Sequence, residues 1–210
     1  MIRPILPEWT VVVVGQWNPA IFSPDWVARE LLHVTVIETQ IAAGPQVTGV
    51  RYQSATLVVI PQPNQLILGA RNEADATLLE METATQAALR SLSHTPIQGV
   101  GVNFGFIETD PTADLIQTFA IRDSGALAEN QLPVRRTVIT REIELESVIL
   151  NLKMSFAEGQ VAFHFNYTYA TTSATAGADL LTGKVIECRN RSNTILSTIF
   201  ELELEAEEVN

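Results

Sequence analysis

Hydrophobic positions along the chain follow two rhythms, alternation at every second residue and a stripe recurring every three or four, and the order of these stretches predicts the fold. Val11 to Gln16 is a β-branched run that predicts a buried strand. Ser23 places a capping hydroxyl before Pro24 at the first helical position, so a short helix is expected from Pro24 to about Leu32. Val34 to Ile41 and Val50 to Ile60 predict two strands with a turn at Gly44 and Pro45. Pro61, Pro63 and Asn64 then reverse the chain into a hairpin strand at Leu66 to Leu68.

Asn72 is expected to cap a long helix with Leu78, Met81, Thr85, Ala88 and Leu92 along one face, stopped by Pro96. The next stretch alternates Val100, Val102, Phe104 and Phe106 with Gly99, Gly101, Asn103 and Gly105, which predicts a strand crowded on one side and nearly bare on the other. Asp110 and Pro111 repeat the cap-and-proline signal ahead of a second short helix through Phe119. Ser124 to Pro133 reads as a polar connection. Three alternating strands follow at Val138 to Ile143, Val148 to Phe156 and Val161 to Tyr169, with Glu158 and Gly159 turning the last hairpin.

Thr171 to Gly177 reads as a loop. Leu181 to Leu202 then carries a helical stripe that Ser192 interrupts, with Phe200 to Glu205 also compatible with a terminal strand and Glu205 to Asn210 expected to fray.

In order, these elements read strand, short helix, three strands, long helix, and then the same again. The predicted fold class is therefore α+β: an antiparallel sheet with helices on one face, built by internal duplication of a strand-helix-three-strand-helix unit into a saddle-like pseudo-twofold arrangement. The first repeat is assigned to residues 1–95 and the second to 96–210, the two forming one compact domain.

Length and composition fit that picture: 210 residues, 46% hydrophobic and 18% charged, suffice for a real core. The net charge of −11 repels phosphate backbones and anionic membranes, so neither nucleic acid nor a membrane is an expected partner. No stretch approaches the roughly 20 apolar residues that cross a bilayer, and the first ten residues hold no signal-type apolar run. Cytoplasmic residence follows by elimination, and the single Cys188 is expected to be a buried, inert thiol.

The chemistry-bearing motifs are thin. His33, His94 and His164 belong to no metal-ligand spacing, no GxSxG is present, and Gly99 to Gly105 lacks the GK[ST] ending of a phosphate loop. The acids at Asp25, Glu30, Glu38, Glu108 and Asp110 are explained by helix ends as readily as by acid–base work. No catalytic residue, metal or cofactor is assigned, and an enzyme is the less expected class.

A polar face is the better candidate. In the strand ending at Tyr169, His164 and Asn166 share one side; Asn151 and Lys153 fall in the same phase on the neighbouring strand, and Asn103 lies between glycines. Arg135 and Arg136 are a separate candidate contact for an anion or acidic partner. The function expected is a binding or assembly protein, a homo-oligomer using the open sheet face, with a protein or small molecule as partner. The alternatives are a small-molecule binding domain or enzyme with a pocket between the sheet and the C-terminal helix, and an acidic inhibitor or immunity-type protein for a basic partner.

Overall fold

A computed structural model describes residues 1–43, 48–146 and 148–204. Ten strands form one sheet: β1 (Ile2–Pro4), β2 (Thr10–Gly15), β3 (Glu38–Ala43), β4 (Thr48–Gln53), β5 (Leu57–Gln62), β6 (Gln65–Ala70), β7 (Ile97–Glu108), β8 (Arg136–Leu145), β9 (Val148–Ala157) and β10 (Gln160–Ala170). The order is β3-β4-β5-β6-β2-β7-β10-β9-β8, with β1 continuing the β2 side of β7, and every strand pair is antiparallel. Between β1 and β2 a 3₁₀ turn, Leu6–Glu8, lifts off the strand line.

Helix α2 (Asp75–Ser91) packs on β2, β5 and β6, while α5 (Ala174–Leu180) and α6 (Lys184–Ile199) pack on β7 and on α2. The core lies between these helices and one face of the sheet, where Val11, Leu68, Val102, Phe104, Phe163, Phe165 and Tyr167 are essentially sealed from water. Alternation explains this, because these positions recur at every second residue. Helix α2 buries Leu78, Met81, Thr85 and Ala88 as the stripe predicts. The fold is therefore α+β, an antiparallel sheet with its long helices on one face.

Outward from the β2–β7 seam, strand order reads β2-β6-β5-β4-β3 on one side and β7-β10-β9-β8 on the other. Among the described residues the first half thus has six strands and the second four: β1 was not expected from the sequence, and along the main path β2 to β6 outnumber β7 to β10 by one. The difference arises where a single strand was expected from Val50 to Ile60: the chain breaks at Ser54, whose hydroxyl accepts hydrogen bonds from the Thr56 and Leu57 backbone N–H groups and makes a tight hairpin between β4 and β5. The strand expected from Val34 begins at Glu38 instead, after an exposed stretch that includes Val36.

Local chemistry also moves several helix boundaries. The short helix after Ser23 exists as α1 (Pro24–Trp26) continuing into a π turn, Val27–Leu31, with the Ser23 hydroxyl accepting from the Trp26 N–H. Asn72 accepts from Ala74 N–H and the Thr77 hydroxyl, so it steadies the approach to α2 while Ala74 holds the cap position. In α3 (Ala113–Gln117) the cap is Thr112, not Asp110. The expected polar connection contains α4 (Ser124–Glu129), and the expected loop at 171–177 contains the start of α5, capped by Ser173. Gly183, at φ 72°, divides the C-terminal helical stretch into α5 and α6. Leu204 makes a single bridge to Ile2. The expected turn at Gly44 and Pro45 and the terminal stretch from Glu205 lie outside the described residues.

Candidate functional site

Among the described residues no long helix covers the sheet face opposite α2, α5 and α6, although the Leu6–Glu8 turn lies across part of it, and strand register arranges this open face in rows. One row crosses five strands, with Thr10 on β2 opposite Asn103 on β7, then Asn166 on β10, Asn151 on β9 and Glu142 on β8. Its amides point one way: Asn151 Nδ2 donates to Asn166 Oδ1 at 3.5 Å, Asn166 Nδ2 donates to Asn103 Oδ1, and Asn103 Nδ2 donates to the Thr10 hydroxyl at 3.0 Å. Thr168 adds a donor to Asn166 Oδ1 at 2.7 Å. Aligned amides polarise one another. Each amide nitrogen has a second hydrogen, so the row still offers donors to a ligand lying across it.

The next row runs from Gly105 to His164 and Lys153. Gly105 is bare because the chain itself lies on it: a Cβ built there would stand 2.1 Å from Glu8 Oε2 and 2.8 Å from the Glu8 Cβ. The Gly105 carbonyl meanwhile accepts from the Ile5 N–H at 2.8 Å and the Trp9 indole N–H at 2.9 Å. The 3₁₀ turn is thus seated on this glycine. Glu8 Oε2 lies 2.5 Å from His164 Nδ1, off the line of an aligned hydrogen bond, so the contact acts as an ion pair when the imidazole is protonated.

Swinging the carboxylate aside would not free the space, since the Glu8 Cβ is itself too close. Gly105→Ala is therefore expected to lower stability by roughly 1–3 kcal/mol, seen as a lower urea midpoint at unchanged slope. An unchanged midpoint would show that the turn is not seated as described.

On the half of the face built from β2, β5 and β6 one row is aliphatic, with Val12, Ile67 and Ile60, while in the next Val14 stands beside Gln65 and Gln62. Two hollows lie along it. One, about 470 Å³, sits over Gly99 and Gly101 between Val12 and Val14 on one side and Asn166 and Thr168 on the other. The other, about 530 Å³, spreads over β2, β6 and β5 against the wall of Leu6 and Pro7, with Arg51 and Arg71 among its lining residues.

The sequence-predicted residues therefore divide. Asn103, Asn151, Lys153, His164 and Asn166 come together on the open face. Arg135 and Arg136 do not: they stand exposed at the start of the edge strand β8, with Arg136 six residues, or ~20 Å of strand, from the Glu142 end of the row. No ion pair to either is found among the described residues. Thr10, Glu8, Arg51 and Arg71 are the residues missed. Thr10 was legible in phase with its strand; the placement of Glu8 depends on a turn that no periodicity marks.

The interior between sheet and C-terminal helix is filled. Val185, Cys188, Ser192 and Leu196 of α6 are buried, and Ser192, which breaks the apolar stripe, donates to the Cys188 carbonyl and shares a 3.0 Å hydrogen bond with the Tyr167 hydroxyl. Because the single Ser192 hydrogen is used on the carbonyl, Tyr167 is the donor. Burial pushes the Cys188 thiol up to about 11, as expected of an inert cysteine. A pocket of about 450 Å³ lies at the margin, lined by Glu144, Glu146, Lys184, Glu187 and Arg191, where Glu187 of α6 pairs with both Lys184 and Arg191.

Among the described residues no group of three or more His, Cys, Asp or Glu is placed to hold a metal ion, and no helix is long and apolar enough to cross a membrane. No protein-family model matches the chain, and comparison with curated proteins gives no match.

Proposed function

We propose that this chain is a non-enzymatic binding or assembly protein that works through the open face of its sheet. The observation that carries the reading is the division of that open face: an in-register polar row from Thr10 to Glu142 on one half, and half-buried aliphatic side chains of Val12, Ile60 and Ile67 on the other. Hydrogen-bond donors fix orientation, and apolar surface supplies the driving force of association.

Self-association through the same face is a second reading, favoured by Val14 and Ile149, which leave 39% and 42% of their surface exposed on it. The matching strand order about the β2–β7 seam also supports, as a proposal, a unit duplicated near residue 95. Cytoplasmic residence belongs to the same proposal.

Static light scattering and thermal-shift measurements on the wild type and a Val14→Arg, Thr168→Arg double variant test the reading. Both positions are exposed and point away from the core, so the variant is expected to fold. A dimer mass or a ligand-induced rise in Tm is expected in the wild type and is lost in the variant. A wild-type monomer that responds to no compound, or a response the variant keeps, overturns the proposal.

A further inference from the structure

We infer that the larger hollow of the open face binds a small carboxylate with an apolar body, an inference that rests on the open face being the binding surface. Its floor and walls are aliphatic, from Val12, Ile60, Ile67 and the Leu6–Pro7 turn, and its volume of about 530 Å³ falls in the range of small-molecule sites. The turn makes this a corner rather than a flat sheet, because it stands off the strand line while Glu8 is held at Gly105.

The charges point to an anion. In a chain with 24 acidic and 13 basic residues, this hollow is lined by two arginines and no acid. Arg71 is oriented by donation from Nη1 to the Ser54 carbonyl, a neutral partner, and among the described residues no carboxylate pairs with it. Among the described residues the Arg51 side chain makes no hydrogen bond or ion pair. Gln40 is opposite it on β3, and the acid on that strand, Glu38, accepts from Gln40 instead. Guanidinium forks match carboxylates in plane and spacing. Inorganic phosphate would leave the aliphatic floor unused, and a neutral lipid would leave both arginines unused.

Titration calorimetry of the full chain with octanoate, octanol and octylammonium tests this directly. Octanoate is expected to bind saturably at one site, octanol roughly tenfold more weakly, and octylammonium not at all. Arg51→Gln, which removes no hydrogen bond or ion pair among the described residues, should weaken octanoate by about the same tenfold factor and leave octanol unchanged. Ile67→Glu should abolish both.

Equal affinity for octanoate and octanol, with Arg51→Gln indistinguishable from wild type, overturns the inference while the open-face reading stands. Octanoate binding that survives both substitutions places the ligand elsewhere and also overturns it. No binding of any probe removes the inference as well, and the light-scattering result on the Val14→Arg, Thr168→Arg variant then decides the open-face reading separately.

Discussion

Replacing Glu82 by alanine is expected to cost roughly 2–3 kcal/mol of stability, the sum of a lost charge-assisted capping interaction and two stranded backbone donors. Glu82 lies on the buried side of α2, only 5% exposed, which is a costly place for a carboxylate unless it is fully engaged. Its Oε1 accepts from the Gly183 N–H at 2.7 Å and its Oε2 from the Val185 N–H at 3.1 Å.

These donors open α6, whose cap position is Gly183, a residue with the freedom for φ 72° and no side chain to offer. The carboxylate of one helix therefore caps another about a hundred residues away, where the helix dipole also favours negative charge. Glu82→Gln should lose nearly as much as alanine, because the amide nitrogen of glutamine would face one of the two N–H groups. Urea midpoints of the three proteins check this. A loss below about 0.5 kcal/mol in the alanine variant would mean that water replaces the carboxylate at the helix end.

That interaction shows how far the sequence could be read. The helix around Glu82 was legible from Leu78, Met81, Thr85 and Ala88, and the trace of the cap was an acid set among those apolar positions. Its partner was not legible, because it depends on where α6 begins, and Gly183 inside an apolar stripe reads equally as a helix interrupted or continued.

The strands of the second half were legible for a similar reason: β7, β9 and β10 alternate strongly, so phase alone placed Asn103, Asn151, His164 and Asn166 on one face. Phase does not give register, so the alignment of those residues with Thr10 in one row emerged only with the strand pairing. The apolar half of the face escaped notice because β5 and β6 are apolar on both sides, which hides the distinction between core and surface. The glycines leave one side of β7 nearly bare, as their alternation predicts, and at Gly105 Glu8 of the same chain fills that space.

A second large effect is expected in alkali. Tyr167, Tyr169 and Cys188 form a buried polar group between β10 and α6, with Tyr169 and Cys188 3.3 Å apart. Burial raises all three acids: the thiol from 9.0 to about 11, and both phenols well above their ordinary value of 10. Each has a native pKa above its unfolded one, so between those values the folded chain holds protons that the unfolded chain has released. Stability is therefore fully present below about pH 9 and falls as pH rises. The thiol alone, raised by burial from 9.0 to about 11, accounts for roughly 2–3 kcal/mol lost between about pH 9 and pH 11. The phenols add to the decline from pH 10 upward.

Urea unfolding at intervals from pH 7 to 10.5 should show a flat region followed by this fall. Cys188→Ala should flatten the part that begins near pH 9, and Tyr169→Phe the part above pH 10, whatever each costs at neutral pH. If the Cys188→Ala protein loses stability with the same slope as the wild type from pH 9, the thiol is not shielded in the native state and the packing of α6 over β10 is looser than these contacts require.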